Sequence, residues 1–240
     1  MYEHRTTIVG RSITKCVTAD DEWCAEAYME TDYGPLCEMD YLMKMRDYAA
    51  FSIGCSNPYK AFTYTNIPIS SSKLELNNKD WKWFKVGKLF DLDKCKCSNA
   101  TELLEDGNEI AYIGAKKSNN GIMNFVLKND ALITTGNCIV FIGDGEGSVG
   151  YCTYQPVDFV GSTTLIAGYN NKLNVYNAIF LVCVLDQERY RYSFGRKYKK
   201  EVIAASQIKL PAIKNAKGEY EPDWQWMEDY IKGLPYSGCL

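Results

Sequence analysis

Residues 81–240 alternate short apolar runs with clusters of glycine, asparagine, serine and aspartate, the pattern of strands separated by turns. Trp81, Trp83, Phe84, Val86, Leu89 and Phe90 open this region as a dense apolar anchor. Residues 109–114, 122–127 and 138–142 then read as strands, divided by the turn sequences Asn119-Asn120-Gly121 and Thr135-Gly136-Asn137. The Asn120-Gly121 pair is a strong hairpin signal, because both residue types accept positive φ. Residues 158–168 read as one further strand. Residues 174–188 are apolar nearly all round, which predicts a buried helix with Asn174 as its cap. Residues 222–232 predict a second helix, opened by Pro222 and ended by Gly233. Strands interrupted by helices without strict βαβ alternation place the chain in the α+β class: a mixed-sheet domain with short helices, preceded by a smaller N-terminal region.

The boundary falls in the polar stretch 69–80, where serine, asparagine and lysine dominate. It divides the chain into an N-terminal region, 1–77, and a larger domain, 78–240. In the first part, Leu42, Met45, Ala49 and Ile53 form a helical stripe of the kind that usually packs into a core. No function is read for residues 1–69.

Composition narrows the classes. The 240 residues are 46% hydrophobic, enough for a sizeable core. No apolar run approaches the length of a membrane span, and the start of the chain lacks the apolar segment of a secretion signal. A soluble cytoplasmic protein without membrane association is therefore expected. The ten cysteines then default to free thiols. No Cys-x-x-Cys pair occurs, Cys95-Lys96-Cys97 has the wrong spacing, and His4 is the one histidine, so no metal is expected. Cys138, Cys152 and Cys183 lie in apolar contexts and read as small buried residues.

The residue inventory also argues against catalysis. With His4 alone, histidine-based serine or cysteine triads are nearly excluded. Asn57-Pro58-Tyr59 approaches the motif with which adenine methyltransferases hold their target, but the second proline is missing and no glycine-rich cofactor loop precedes it. Glu102, Glu105, Asp106 and Glu109 could serve a nuclease metal only as a cluster, and they read as a solvated loop before a strand. No cofactor is expected.

Charge supplies the chemical lead. The chain is −3 overall, but residues 1–40 carry three basic and nine acidic side chains, net −6, which leaves +3 for the remainder. Within that remainder, residues 189–200 hold six cations and no acid. Arg191, Arg196, Lys197, Lys199 and Lys200 suit phosphates, arginine also suits guanine edges, and the interleaved Tyr190, Tyr192 and Tyr198 suit sugar or phosphate contacts. A solvated charged face explains such a run equally well, and the sequence leaves open whether its tyrosines and phenylalanine are core. Lys116, Lys117, Asn119 and Asn120 form a second basic, amide-rich loop with the same chemistry. The glycine-rich turn 143–150 lacks the Gly-Lys-Ser/Thr of a P-loop. It reads either as a plain hairpin loop or as a DNA-facing loop, with Ser148 and backbone N–H groups on phosphate and Asp144 and Glu146 accepting from cytosine.

Ordered along 78–240, these features resemble the target recognition domain of restriction-modification specificity subunits of the type I and BcgI-like kinds. The features are Trp83-Phe84-Lys85-Val86-Gly87-Lys88-Leu89-Phe90, the strand and glycine turn at 136–150, Phe194-Gly195-Arg196-Lys197-Tyr198, Ile208-Lys209-Leu210-Pro211, and the tail from Asp223 to Ser237. The resemblance implies a non-catalytic subunit that reads one half of a bipartite site in double-stranded DNA. It further implies docking to a DNA adenine methyltransferase subunit, with a restriction nuclease subunit joining for cleavage. Type I subunits carry two recognition domains and long spacer helices, whereas this chain carries one domain and a short final helix. A half-size subunit that self-associates, a fragment and a degenerate member all stay open. The other reading is a protein-interaction module, a degenerate specificity domain or DNA mimic that occupies the methyltransferase without reading DNA, to which the acidic N-terminal region would be suited.

Overall fold

The computed structural model describes residues 28–31, 34–37, 74, 76–98, 103, 109–145, 147–193, 195–234 and 237. His4, the stripe at 42–53, Asn57-Pro58-Tyr59, Glu102, Glu105, Asp106, Glu146 and Phe194 lie outside them. The chain divides into two units, Met1–Lys82 with Leu210–Leu240, and Trp83–Lys209. In chain order the elements begin with β1 (Tyr28–Thr31), β2 (Gly34–Cys37), β3 (Lys82–Lys85), α1 (Val86–Leu89) and β4 (Asp91–Lys94). They continue with β5 (Ile110–Ile113), β6 (Ile122–Val126), β7 (Ile133–Thr134), β8 (Cys138–Ile142), β9 (Cys152–Gln155), β10 (Phe159–Gly161) and β11 (Leu165–Tyr169). Last come α2 (Val175–Asp186), α3 (Lys200–Ala205), β12 (Gln207–Leu210), β13 (Ala212–Lys214), β14 (Tyr220–Pro222) and α4 (Trp224–Lys232).

The second unit is built on two four-stranded sheets. One is antiparallel, in the order β4-β11-β8-β9; the other is mixed, in the order β6-β5-β10-β7, with β5 and β10 parallel. Every residue of β8 is buried, so this strand is covered on both faces and shows an apolar run rather than alternation. β6, at a sheet edge, keeps the half-buried alternation. It pairs with β5 as a hairpin whose turn puts Asn119, Asn120 and Gly121 at positive φ, as the asparagine-glycine sequence requires. α2 packs against β9, where Asp186 Oδ1 accepts from the backbone N–H of Cys152 at 2.7 Å. Its start is fixed by a capping box between Asn174 and Asn177. Phe141, the fourth residue of β8, meets Phe90 and Tyr198 edge-on, each with ring centroids 6.0 Å apart.

In the first unit, β1 and β2 pair antiparallel, as do β13 and β14. α4 buries Met227, Tyr230 and Ile231. Trp226 stacks on Tyr230 and meets Trp81 edge-on. Asp223 caps α4 by accepting from Trp226 N–H.

Three sequence expectations change. Residues 158–168 are two strands, β10 and β11, because Ser162–Thr164 turn the chain so that it serves both sheets. Pro222 ends β14 instead of opening α4, because Asp223 supplies the cap and the proline lacks only an N–H at the strand's last position. Trp83 leaves the apolar anchor: β3 alternates in burial, and the Trp83 position faces solvent at 45% exposure.

Two consequences are measurable. Phe141→Ala removes a wholly buried ring and should cost about 3–5 kcal/mol in chemical denaturation. Cys95, Cys97, Cys138, Cys152 and Cys183 are buried free thiols. Burial pushes the Cys95 thiol up to about 11 and raises that of Cys138 further, so the reactive thiolate is scarce at pH 8. Mass spectrometry after iodoacetamide treatment at pH 8 should find these five unlabelled in the native chain and labelled in denaturant.

Candidate nucleic-acid interface

Three segments that sequence reasoning treated separately meet in the second unit: the loop at 116–120, the glycine turn and the basic run. The turn is pinned from both sides. Gly143 donates its N–H to the Thr164 carbonyl and accepts from Tyr198 N–H at 3.0 Å. Gly150 sits at φ +87°, and a Cβ there would lie 2.9 Å from Arg189 Cα, so a side chain cannot be accommodated without moving the basic run. The hairpin loop closes the third side, since a Cβ on Gly145 would lie 2.4 Å from the Ala115 Cβ. Asn120 ties the same loop to β9, donating to the Tyr154 carbonyl at 2.8 Å and accepting from Gln155 Nε2 at 2.8 Å.

All six cations of the run are exposed. They differ in what holds them. Arg191 Nε lies 3.1 Å from Oε2 of Glu188, a carboxylate at 0% exposure. Lys197 pairs with Asp144, and Lys200 approaches Asp93 at 3.9 Å. Lys116 Nζ donates to the Ile122 carbonyl. Among the described residues, Lys117, Arg189, Arg196 and Lys199 have no carboxylate partner. Lys117 and Arg189 converge instead on one ring, that of Tyr151, at 5.5 and 5.0 Å from its centroid. Beside this ring opens a cavity of about 570 Å³, lined among others by Asp144, Gly147, Tyr151, Arg189, Tyr190 and Tyr192. Burial, then the Glu188 carboxylate, pushes the Tyr192 phenol up to about 12, so this phenol keeps its proton at neutral pH.

The residues expected at the interface therefore separate. Lys117, Arg191, Arg196, Lys197, Lys199 and Lys200 are exposed, and Lys116, Asn119 and Asp144 are half-buried; Glu146 lies outside the described residues. Three others change role. Tyr198 is a core residue at 0% exposure, stacked on Tyr192 at 4.0 Å and edge-on to Phe141, so it has no surface to offer DNA. Asn120 is buried, its amide committed to β9. Ser148 is buried, and its N–H closes the turn onto the Gly145 carbonyl instead of facing a phosphate. Conversely, Arg189 and Tyr151 line the cavity and were absent from the expected set, whereas Tyr190 and Tyr192, expected as sugar or phosphate contacts, line it with them. Arg189 stood in the basic run all along; Tyr151, just beyond the glycine turn, carried no sequence signal linking it to a residue 38 positions away. Among the described residues no cluster of histidine, cysteine and carboxylate side chains could hold a metal. Nor is any described helix long and apolar enough to cross a membrane.

Comparison with known proteins assigns a family. The model of the type I restriction modification DNA specificity domain matches residues 78–233. A curated relative, the type II restriction enzyme BgcI specificity subunit S.BcgI of Heyndrickxia coagulans, is 28% identical over 180 residues. That match takes in 73% of this chain and 50% of the relative, so the chain spans about half the length of the specificity subunit it resembles. Among solved structures, the type I S subunit from M. genitalium aligns with a TM-score of 0.47 at 18% identity, over 64% of this chain and 38% of that one. The HsdS subunit from Thermoanaerobacter tengcongensis aligns with a TM-score of 0.46 at 13% identity, over 80% and 42%. With the family model matched over well more than half of its length, the chain belongs to the type I restriction-modification DNA specificity domain family.

Proposed function

We propose that this chain reads one half-site in double-stranded DNA for a restriction-modification system and docks a DNA adenine methyltransferase subunit, which performs the chemistry. The observation that carries the reading is the convergence of two exposed cations without carboxylate partners among the described residues, Lys117 and Arg189, on Tyr151 just beyond the glycine turn, with Arg196 and Lys199 exposed and likewise without such partners in the same basic run as Arg189. Cations already paired gain little by meeting a phosphate, since the first carboxylate must be released. Cations without such partners release condensed counterions from DNA at no such cost. Arg196, on the tight turn closed by the Ser193 and Arg196 backbone groups, can also present a guanidinium to guanine, and Asn119 an amide to adenine. The recognition domain is taken as residues 78–240, and the chain contributes no catalytic group or cofactor of its own. A restriction nuclease subunit would join the assembly for cleavage.

The test is selection of a randomised duplex pool by the purified chain, with and without the methyltransferase subunit, followed by sequencing. Enrichment of a short or split motif is expected. No enrichment despite demonstrated association with the methyltransferase would replace DNA reading with docking alone. Within the same framework, Lys117→Ala with Arg189→Ala should weaken duplex binding across all sequences. It should also flatten the slope of log affinity against log salt by about two units, as read by fluorescence anisotropy. Gly150→Ala, strained at positive φ and against Arg189, should cost about 1–3 kcal/mol in thermal denaturation and lower duplex affinity at temperatures where the variant is folded.

A further inference from the structure

Groove reading of an intact duplex needs exposed edges and cations, not a concavity. Stacked and paired bases have no use for a cavity of about 570 Å³, a size typical of pockets for small organic ligands. The walls of this cavity are also specific. Tyr190 is 59% exposed, and a tyrosine so placed ordinarily samples several rotamers. Here its hydroxyl accepts from Arg191 Nε at 3.0 Å, and the Arg191 guanidinium lies 5.5 Å from the Tyr190 ring centroid. Arg191 is held in turn by Glu188, wholly buried beneath it. A buried carboxylate thus fixes an arginine, and the arginine fixes an exposed aromatic ring on the cavity wall. Tyr192, on the same wall, is held by stacking on buried Tyr198. Next to these rings stand Arg189, itself a wall residue, and Lys117, both turned to Tyr151 and without carboxylate partners among the described residues.

We propose that this cavity receives one unstacked nucleotide of a DNA strand, its base on the Tyr190 ring and its phosphate at Lys117 and Arg189. The inference rests on the DNA reading above and adds to it a site that grips a base outside the helical stack. An aromatic ring that is already immobilised gives up little rotational freedom when a base lies on it, and stacking accepts any base because each has a π face. The two cations supply the anion contact without first breaking an ion pair. Arg191, paired with Glu188, positions Tyr190 and is not assigned to the phosphate. The cost of unstacking is lowest at a mismatch, a strand end or a single strand, so single-stranded DNA is the ligand on which the site can be measured alone.

The experiment uses the full chain and three fluorescent probes: a random-sequence duplex, an oligothymidylate of about twelve nucleotides, and an abasic oligonucleotide of the same length, which carries the same phosphates without bases. Wild-type protein should bind all three and prefer oligothymidylate to the abasic strand by about tenfold or more. Tyr190→Leu, which keeps apolar bulk on an exposed position, should abolish that preference. Tyr190→Phe, which keeps the aromatic face and loses one hydrogen bond, should restore it to within about threefold of wild type. Lys117→Ala with Arg189→Ala should weaken both single strands together. Duplex binding with equal affinity for the two single strands, or a preference that survives Tyr190→Leu, overturns the nucleotide site and leaves the DNA reading standing. Failure of the wild-type chain to bind any of the three overturns both.

Discussion

Tyr198 lies in the middle of the basic run with its ring wholly buried, stacked on Tyr192 and edge-on to Phe141 of the central strand β8. Its backbone N–H donates to Gly143, so the same residue that anchors the run to the core also fastens it to the glycine turn. A charged segment of this composition has no apolar stripe by which to fold. One phenol ring, taken out of water and packed between two aromatics, supplies the apolar contact that holds it. The arginines and lysines around it are then forced outward, because a buried cation without a partner is far more costly than an exposed one. The attachment of the basic run to the glycine turn follows from where Tyr198 is held.

Electrostatics then sorts the exposed cations into two kinds. Arg191 is tied to the fold by Glu188, and Lys197 is paired with Asp144 at the surface. Lys117 and Arg189 face Tyr151 and remain available to an anion. The difference between Glu188 and Asp144 is one of burial. Glu188 at 0% exposure makes its arginine a fixed part of the fold, whereas Asp144 sits at the surface, where a lysine pair is worth little. A row of like charges in the sequence is thus a row of unlike roles in space.

The strands that were legible in the sequence are those with an internal signature. The β5–β6 hairpin carried asparagine and glycine at positions that need positive φ, and α2 carried its own cap in Asn174. The segment at 158–168 misled because its apolar residues run on through Ser162–Thr164, and only the demand of two separate sheets for strand edges breaks it into β10 and β11. Pro222 misled because its place at a strand end and its place at a helix start look alike locally. For the site, the basic run and the glycine turn stood out by composition. Asn120 and Ser148 did not reveal that they point inward, and for Tyr198 core and surface were both open, since polar or amphipathic residues become structural only when a partner from another element reaches them.

The amino-acid sequence by itself determined the class of fold, the turn positions, the cap of α2, the concentration of cations at 189–200 and the membership of 78–233 in its family. These rest on local backbone preferences, on periodicity and on ordered motifs, all of which act over neighbouring residues. Only the tertiary structure decided which cations are tied down and which stay available, that Tyr151 lies beneath Lys117 and Arg189, and that a cavity opens beside it. Those outcomes depend on contacts between residues tens of positions apart, and a contact of that kind is fixed by how β8, β9 and α2 pack together, not by the residues adjacent in the chain.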